Sequence, residues 1–161
     1  MQKISDKESA FGALAKYANP ALIPFESCAW ERSVVKPVKK ILIDTNVILR
    51  CLLRDNEEQA QKADEVIKAG AWTLPEVLAE VEHVLRTVYN VERKDIAEQL
   101  FKAFKLIQFE RPDIMLRTLE IFNSTHLDFV DCIIAAYHGV NKVEVFTFDK
   151  KLNNQIKREE K

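Results

Sequence analysis

The stretch ILIDTNVILR at residues 41–50 decides the fold. Its first three residues form an apolar run that is typical of a short buried strand, and the polar residues Asp44 and Asn46 follow as a turn. The turn leads into a helix that carries Arg50 and Arg54 on one face, because the two residues are four positions apart. This arrangement predicts a strand whose carboxyl end delivers an acidic side chain to the start of a helix.

The rest of the chain alternates between helical and extended patterns in the same way. Besides the strand at 41–43, the patterns predict strands at 72–74, 108–109 (an edge strand) and 143–148 (buried). They predict helices at 57–69 with Gly70 as its cap, from Pro75 onward, at 94–107, at 114–122, at 128–137 stopped by Gly139, and a polar one at the C-terminus. Strands joined by helical crossovers form parallel sheets with helices on both faces. We therefore expect an α/β fold of three layers with more helix than strand.

Composition and charge narrow the classes of function. The chain has 161 residues, enough for one domain with a sizeable core, and a net charge of −1 disfavours nucleic-acid binding by bulk electrostatics. Apolar runs are too short for a membrane span, so we expect no membrane association. The three cysteines are scattered, which indicates a reducing, cytoplasmic environment and neither a zinc site nor a disulfide framework.

Carboxylates recur where ligands bind in such folds, beyond the carboxyl ends of the strands. Asp44 and Asp149 each follow a predicted strand, and Glu80 and Asp131 lie on predicted helices next to apolar residues. Each has a structural alternative: Asp44 and Asp149 would also suit helix caps, and Glu80 a solvated boundary position. Asp128, three residues before Asp131 on the same face, would equally suit a cap.

Taken together, these acids point to a metal site. Several clustered carboxylates repel each other, and some take up protons unless a cation offsets their charge. Oxygen-only ligands suit the hard cations Mg²⁺ or Mn²⁺. Such ions polarise phosphoryl oxygens and activate bound water, so the reaction class that fits is phosphodiester hydrolysis.

Residues 40–155 resemble a PIN-domain nuclease, in particular a VapC-type toxin. The stretch at 41–50 is similar to the first motif of that family, 78–81 to the second, 128–136 to the third and 146–150 to the fourth. The resemblance implies a metal-dependent ribonuclease, often dimeric, that a cognate antitoxin inhibits. It implies a catalytic, metal-binding cluster of Asp44, Glu80, Asp131 and Asp149 assisted by Asp128, with Asn46 and Thr147 orienting ligands or water. Arg50 and Arg54 suit contacts with RNA phosphates and equally suit ion pairs with Asp55, Glu57 or Glu58. Arg50 lies in the first motif and is therefore the expected RNA contact.

Residues 10–24 and 29–30 resemble the toxin-binding segment of small antitoxins, so we expect an arm at 1–36 and a nuclease domain at 37–161. The arm is rich in large apolar residues and is expected to be a helical segment that docks on its own domain or across a homodimer. Basic residues near its end are candidates to reach the acidic cluster. The arm residues singled out are Phe11, Leu14, Tyr17, Trp30, Arg32 and Lys36.

The leading hypothesis is a Mg²⁺- or Mn²⁺-dependent endoribonuclease inhibited by its own fused arm. The alternative is a catalytically silent toxin–antitoxin interaction module that forms stable oligomers. A phosphatase of the haloacid-dehalogenase type would need a second aspartate two residues after Asp44, and Asn46 occupies that place.

Overall fold

The computed structural model describes residues 41–160 of the chain. The predicted arm, with Phe11, Leu14, Tyr17, Trp30, Arg32 and Lys36, lies outside the described residues.

A parallel sheet of three short strands forms the centre of the described part. The strands are β1 (Ile41–Leu42), β2 (Ala71–Thr73) and β3 (Gln108–Phe109), in the order β1-β2-β3. Ile41 pairs with Ala71, and Trp72 pairs with Gln108. Strands form at the predicted positions 41–43, 72–74 and 108–109, and β3 lies at the sheet edge as expected. The expectation that the first strand is buried is wrong for β1 itself: Ile41 and Leu42 are 38% and 52% exposed at the edge of the sheet, and only Ile43, which follows the strand, is buried.

Helices make up most of the remaining described chain and flank the sheet. They are α1 (Thr45–Leu53), α2 (Glu57–Lys68), α3 (Pro75–Thr87), α4 (Arg93–Phe104), α5 (Pro112–Ser124), α6 (Phe129–Asn141) and α7 (Lys150–Glu159). Gly70 follows α2 with a φ of 106°, and Pro75 opens α3, both as predicted. The α/β fold with a parallel sheet and more helix than strand is thus confirmed. No helix within residues 41–160 has the length and apolar character needed to cross a bilayer.

The core lies where α1, α3, α5 and α6 face one another. Leu52, Leu78 and Leu85 are fully buried there, and the rings of Phe122 and Phe129 meet edge to face at 5.1 Å. Burying one such side chain contributes about 1.5–3 kcal/mol to folding. α3 packs against both α1 and α6, and α6 packs against α7. The helices that carry the predicted acidic residues are therefore in mutual contact.

The predicted buried strand at 143–148 is wrong. The segment is not part of the sheet, and Phe146 and Phe148 are 86% and 90% exposed. Val145 between them packs against the core. Alternation along the segment therefore buries one face, while the other face meets no partner within residues 41–160.

The prediction that Gly139 stops α6 is also wrong. The helix continues to Asn141, and Lys142 ends it with a φ of 56°. Gly139 instead faces α7: a Cβ built on it would lie 2.6 Å from Oε2 of Glu159. That carboxylate is buried and receives two hydrogen bonds of 2.8 Å from Arg117. A side chain at position 139 would therefore push the Glu159 carboxylate out of its place.

Replacing Gly139 by Ala tests this packing. Helix propensity alone favours Ala by about 1 kcal/mol. Here we expect Gly139→Ala to lower the free energy of unfolding by about 1–2 kcal/mol, because the methyl group displaces the Glu159 carboxylate from Arg117. The measurement is chemical denaturation of the single variant and of the same change in a Glu159→Ala background. In that background the substitution should stabilise, and destabilisation in both would contradict the packing role.

Candidate active site

Two predicted acids cap helices. Asp44 precedes α1, and its Oδ1 accepts the N–H of Val47 at 3.0 Å. Asp149 precedes α7, and its Oδ1 accepts the N–H groups of Lys151 and Leu152 at 2.6 and 3.0 Å. The capping alternative is correct for both residues, but it engages Oδ1 alone. Both side chains are exposed to solvent, so the cap fixes the carboxylate without burying it.

Glu80 is tied to the start of α1. It lies in the second turn of α3, and its Oε2 accepts a hydrogen bond of 2.7 Å from Oγ1 of Thr45. Thr45 is only 8% exposed and directly follows Asp44, so the bond links the region of Asp44 to Glu80. The sequence analysis missed Thr45. The sequence feature that pointed to Thr45 is its hydroxyl group, at the first position of a helix whose other buried residues are apolar.

The remaining acids meet at the starts of α6 and α7. Asp131 lies in the first turn of α6, and burial together with the charges of Asp149 and Asp128 raises the pKa of its carboxyl group. Asp128 holds the capping position of α6, yet its side chain makes no capping hydrogen bond. The capping alternative therefore does not explain Asp128. Asp128 and Asp149 therefore both lie within electrostatic reach of Asp131.

The structure thus groups the predicted residues in two sets. One set is Asp128, Asp131 and Asp149, and the other is Asp44 and Glu80, joined through Thr45. Within residues 41–160, no three His, Cys, Asp or Glu side chains are arranged to hold a metal ion together. The donor chemistry nevertheless fits a hard cation, since every donor is a carboxylate oxygen and the mutual repulsion at Asp131 is what a divalent ion offsets.

Thr147 and Asn46 differ in what they contact. Thr147 Oγ1 accepts the N–H of Asp149 at 3.0 Å, and its carbonyl accepts a hydrogen bond from Asn153 at 3.0 Å. Thr147 therefore holds the backbone that presents Asp149. Asn46 lies exposed in the first turn of α1, one residue beyond Thr45.

The predicted RNA contact Arg50 forms an ion pair with Asp55, which raises the pKa of its guanidinium. Arg54 bonds Glu57 at 2.6 Å and Asp64 at 3.0 Å. Both arginines thus have carboxylate partners, as the structural alternative expected. An RNA contact by Arg50 would have to compete with Asp55.

Arg93 holds the connection that leads to Asp128, and the sequence analysis missed it. Its guanidinium donates to the carbonyls of Phe122 at 3.0 and 3.2 Å and of Leu127 at 2.6 Å. It also stacks over the Phe122 ring, 3.6 Å from the centroid. These contacts span about thirty residues of sequence, so no local pattern signals them.

A shallow groove of about 400 Å³ runs along α4, the helix that begins at Arg93. It is lined by Lys94, Glu98, Phe101, Lys102, Lys105 and Asn123. Lys102 pairs with Glu98 at 2.7 Å. Three lysines against one glutamate make the groove locally basic in a chain that is weakly acidic overall.

Thiol chemistry is not indicated here. Cys51 and Cys132 are both buried, and burial raises the pKa of the Cys132 thiol to about 12. The thiol next to Asp131 is therefore protonated at neutral pH and unsuited to act as a nucleophile or soft ligand.

The sequence profile described as PIN domain matches residues 41–157, which include all five acids. The chain belongs to the PIN-domain family. PIN domains are generally nucleases that act on nucleic acids and typically use divalent metal ions. No curated protein and no solved structure gives a significant match to the chain.

The charge of Asp131 can be tested through stability. Its pKa is raised in the folded state above the ordinary value of 3.8, so the folded state binds more protons and loses stability as the pH rises through this window. We expect Asp131→Asn to raise the free energy of unfolding at pH 7 in EDTA and to change it little at pH 3.5. Denaturation curves at both values measure the difference.

Asp113→Asn is the matched control, with the opposite sign. Arg111 lowers the pKa of Asp113, so its charge stabilises the folded state above pH 3.8 and this contribution is lost on acidification. The control should destabilise at pH 7. A loss of stability at pH 7 in both variants would contradict the electrostatic interpretation of Asp131.

Proposed function

We propose that this PIN domain is a Mg²⁺- or Mn²⁺-dependent endoribonuclease of the VapC toxin type, inhibited by residues 1–36 of its own chain. The observation that carries the proposal is the grouping of Asp128, Asp131 and Asp149 at the starts of two adjoining helices, where the charges of the other two raise the pKa of Asp131. Uncompensated negative charge at an exposed edge suits a cation site better than a structural role.

In this proposal Asp44, Glu80, Asp131 and Asp149 hold the cation, and Asp128 assists. The bound ion would polarise the phosphoryl oxygen and lower the pKa of an attacking water. The chain's own residues supply position. Thr45 orients Glu80 by its 2.7 Å bond, and the caps of α1 and α7 fix Oδ1 of Asp44 and Asp149.

The groove along α4 supports RNA as the substrate. Arg93, which lies within electrostatic reach of Asp128, immediately precedes Lys94 at one end of the groove. Eleven residues of helix separate Lys94 from Lys105, a distance of about 16 Å that suits a few nucleotides of backbone. Phe101 is half-buried against the core and also lines the groove, where it would offer an apolar surface to a base.

Charge supports inhibition by the arm. Residues 1–40 carry seven Lys and Arg against four Asp and Glu, whereas residues 41–161 carry 17 against 21. Residues 1–40 are therefore complementary in charge to residues 41–161, and within the arm Arg32 and Lys36 are the candidates to offset the carboxylates. Docking in cis and docking across a homodimer both fit the short connection to Ile41.

The second candidate function is a catalytically silent interaction module. It is favoured by the fact that no three acids within residues 41–160 are arranged to hold an ion. In this function the arm and the domain form stable oligomers, and the carboxylates serve as helix caps and as docking charges.

RNA cleavage tests the proposal. We expect residues 37–161 to cleave RNA with Mn²⁺ or Mg²⁺ and the full chain to cleave far less. In the shorter chain, Asp44→Asn should lower the activity at least about 100-fold. The loss of a cation ligand should cost at least as much activity as the loss of a group that only orients such a ligand. Initial rates on a panel of structured RNAs measure this, with Glu58→Gln as the matched control on α2.

Each outcome separates the two candidate functions. Cleavage that persists in Asp44→Asn would refute the proposed cluster. A folded but inactive shorter chain, with circular dichroism equal to that of the full chain, would favour the silent module.

Binding tests the groove separately from catalysis. We expect the change of Lys94, Lys102 and Lys105 to Gln, in an Asp44→Asn background, to weaken binding of a labelled single-stranded RNA. The slope of log affinity against log salt should become shallower by about 2, since each phosphate contact to a single strand contributes about 0.7. Gln at Lys62, Lys68 and Lys157 gives the same change in net charge elsewhere, and an equal loss in both triple variants would exclude the groove.

A further inference from the structure

Two aromatic side chains form an exposed apolar patch immediately before Asp149. Phe146 and Phe148 are 86% and 90% exposed, and their rings meet at 5.1 Å and 80°. We call this pair the aromatic patch. Soluble domains rarely leave two adjacent aromatic rings in water unless another surface covers them.

The exposure of the patch is built into the backbone. Nδ1 of the buried His138 donates to the carbonyl of Val143 at 2.9 Å, and Asn153 donates to the carbonyl of Thr147. Between these anchors Val145 packs against the core. Because side chains alternate along an extended segment, fixing Val145 inward directs both rings outward.

Folds of this class cover extended segments on both faces, since helices pack on either side. Within the described residues, cover is supplied on the Val145 face alone. A second exposed apolar surface is the edge strand β1, where Leu42 is 52% exposed and pairing within residues 41–160 occurs only with β2.

The chain itself carries a segment suited to this surface. Residues 1–40 join the domain at Ile41, the first residue of the edge strand, and hold Phe11, Leu14, Tyr17 and Trp30. Ten residues of extended linker, 31–40, reach up to about 33 Å, which is enough to bring 10–30 onto a neighbouring face of a domain this size. Residues 31–40 carry four Lys and Arg against a single acid, Glu31, and this positive charge complements Glu144 and Asp149 on either side of the aromatic patch.

We propose that residues 10–30 of this chain pack on Phe146 and Phe148. Because Phe148 is adjacent to Asp149, the same contact places the arm over the edge of the acidic site. Only this regulatory consequence rests on the proposed function, since the packing itself requires neither metal nor RNA.

Photo-crosslinking of the full chain tests the contact directly. Phe148→p-benzoylphenylalanine keeps an aromatic ring at the patch, and irradiation followed by peptide mass spectrometry locates its partner. We expect crosslinks to residues 10–30, while the same photoreactive residue at Leu116, an exposed position on α5, should give none to them. An equal mixture of ¹⁴N- and ¹⁵N-labelled protein distinguishes docking in cis from exchange between two copies.

Two other results would overturn the proposal. Crosslinks confined to residues 41–161 of a second molecule would make the patch a contact between domains. The absence of any crosslink from Phe148 would leave the rings exposed in the full chain and exclude docking there.

Hydrogen exchange provides a second readout. We expect Phe146→Ser with Phe148→Ser to speed amide exchange in residues 10–30 at least about tenfold, because the arm loses its docking surface. Val88→Ser with Leu116→Ser removes two other exposed apolar side chains as a control. Unchanged exchange in the patch variant would contradict the proposal. Neither readout depends on cleavage, so an inactive enzyme and a misplaced arm give different results.

Discussion

The hydrogen bond between Thr45 and Glu80 is the contact on which the acidic site depends. It joins the first residue of α1 to the second turn of α3 across 35 positions of sequence. Because Thr45 is buried, the bond persists in surroundings that strengthen it. α3 also touches α6, so the bond sets the position of Glu80 relative to the helices that carry the other acids.

A common physical device places those acids. Asp44, Asp128, Asp131 and Asp149 lie at or just inside helix starts, where unpaired N–H groups and the helix dipole favour negative charge. The positive end of the helix dipole stabilises an aspartate at a capping position, and it also partly offsets the repulsion between neighbouring aspartates. Arg93 adds a second support, because it holds the backbone of the connection that ends at Asp128.

The sequence could predict those features that follow from local pattern. The order of β1 to β3 and the helices, the cap at Gly70 and the start of α3 at Pro75 are local, and so are the capping positions of Asp44 and Asp149. Arg93 and Thr45 act through contacts about thirty residues away, so no spacing reveals them. Residues 143–148 show a different limit of local pattern. The alternation of side chains identifies two faces of the segment, but it does not tell whether another part of the protein covers the second face.

The hydrogen bonds from Arg117 to Glu159 at the end of α7 also help to position Asp149 at the beginning of the same helix. The helix is one rigid rod of ten residues, about 15 Å long, with Asp149 at the first turn and Glu159 in the last. Securing the far end against α5 limits how far the near end swings. Proteolysis that removes Glu159 would break the contact between α7 and α5 and so let Asp149 move more freely at the other end of the helix. The position of Asp149 therefore depends on an intact last turn of α7.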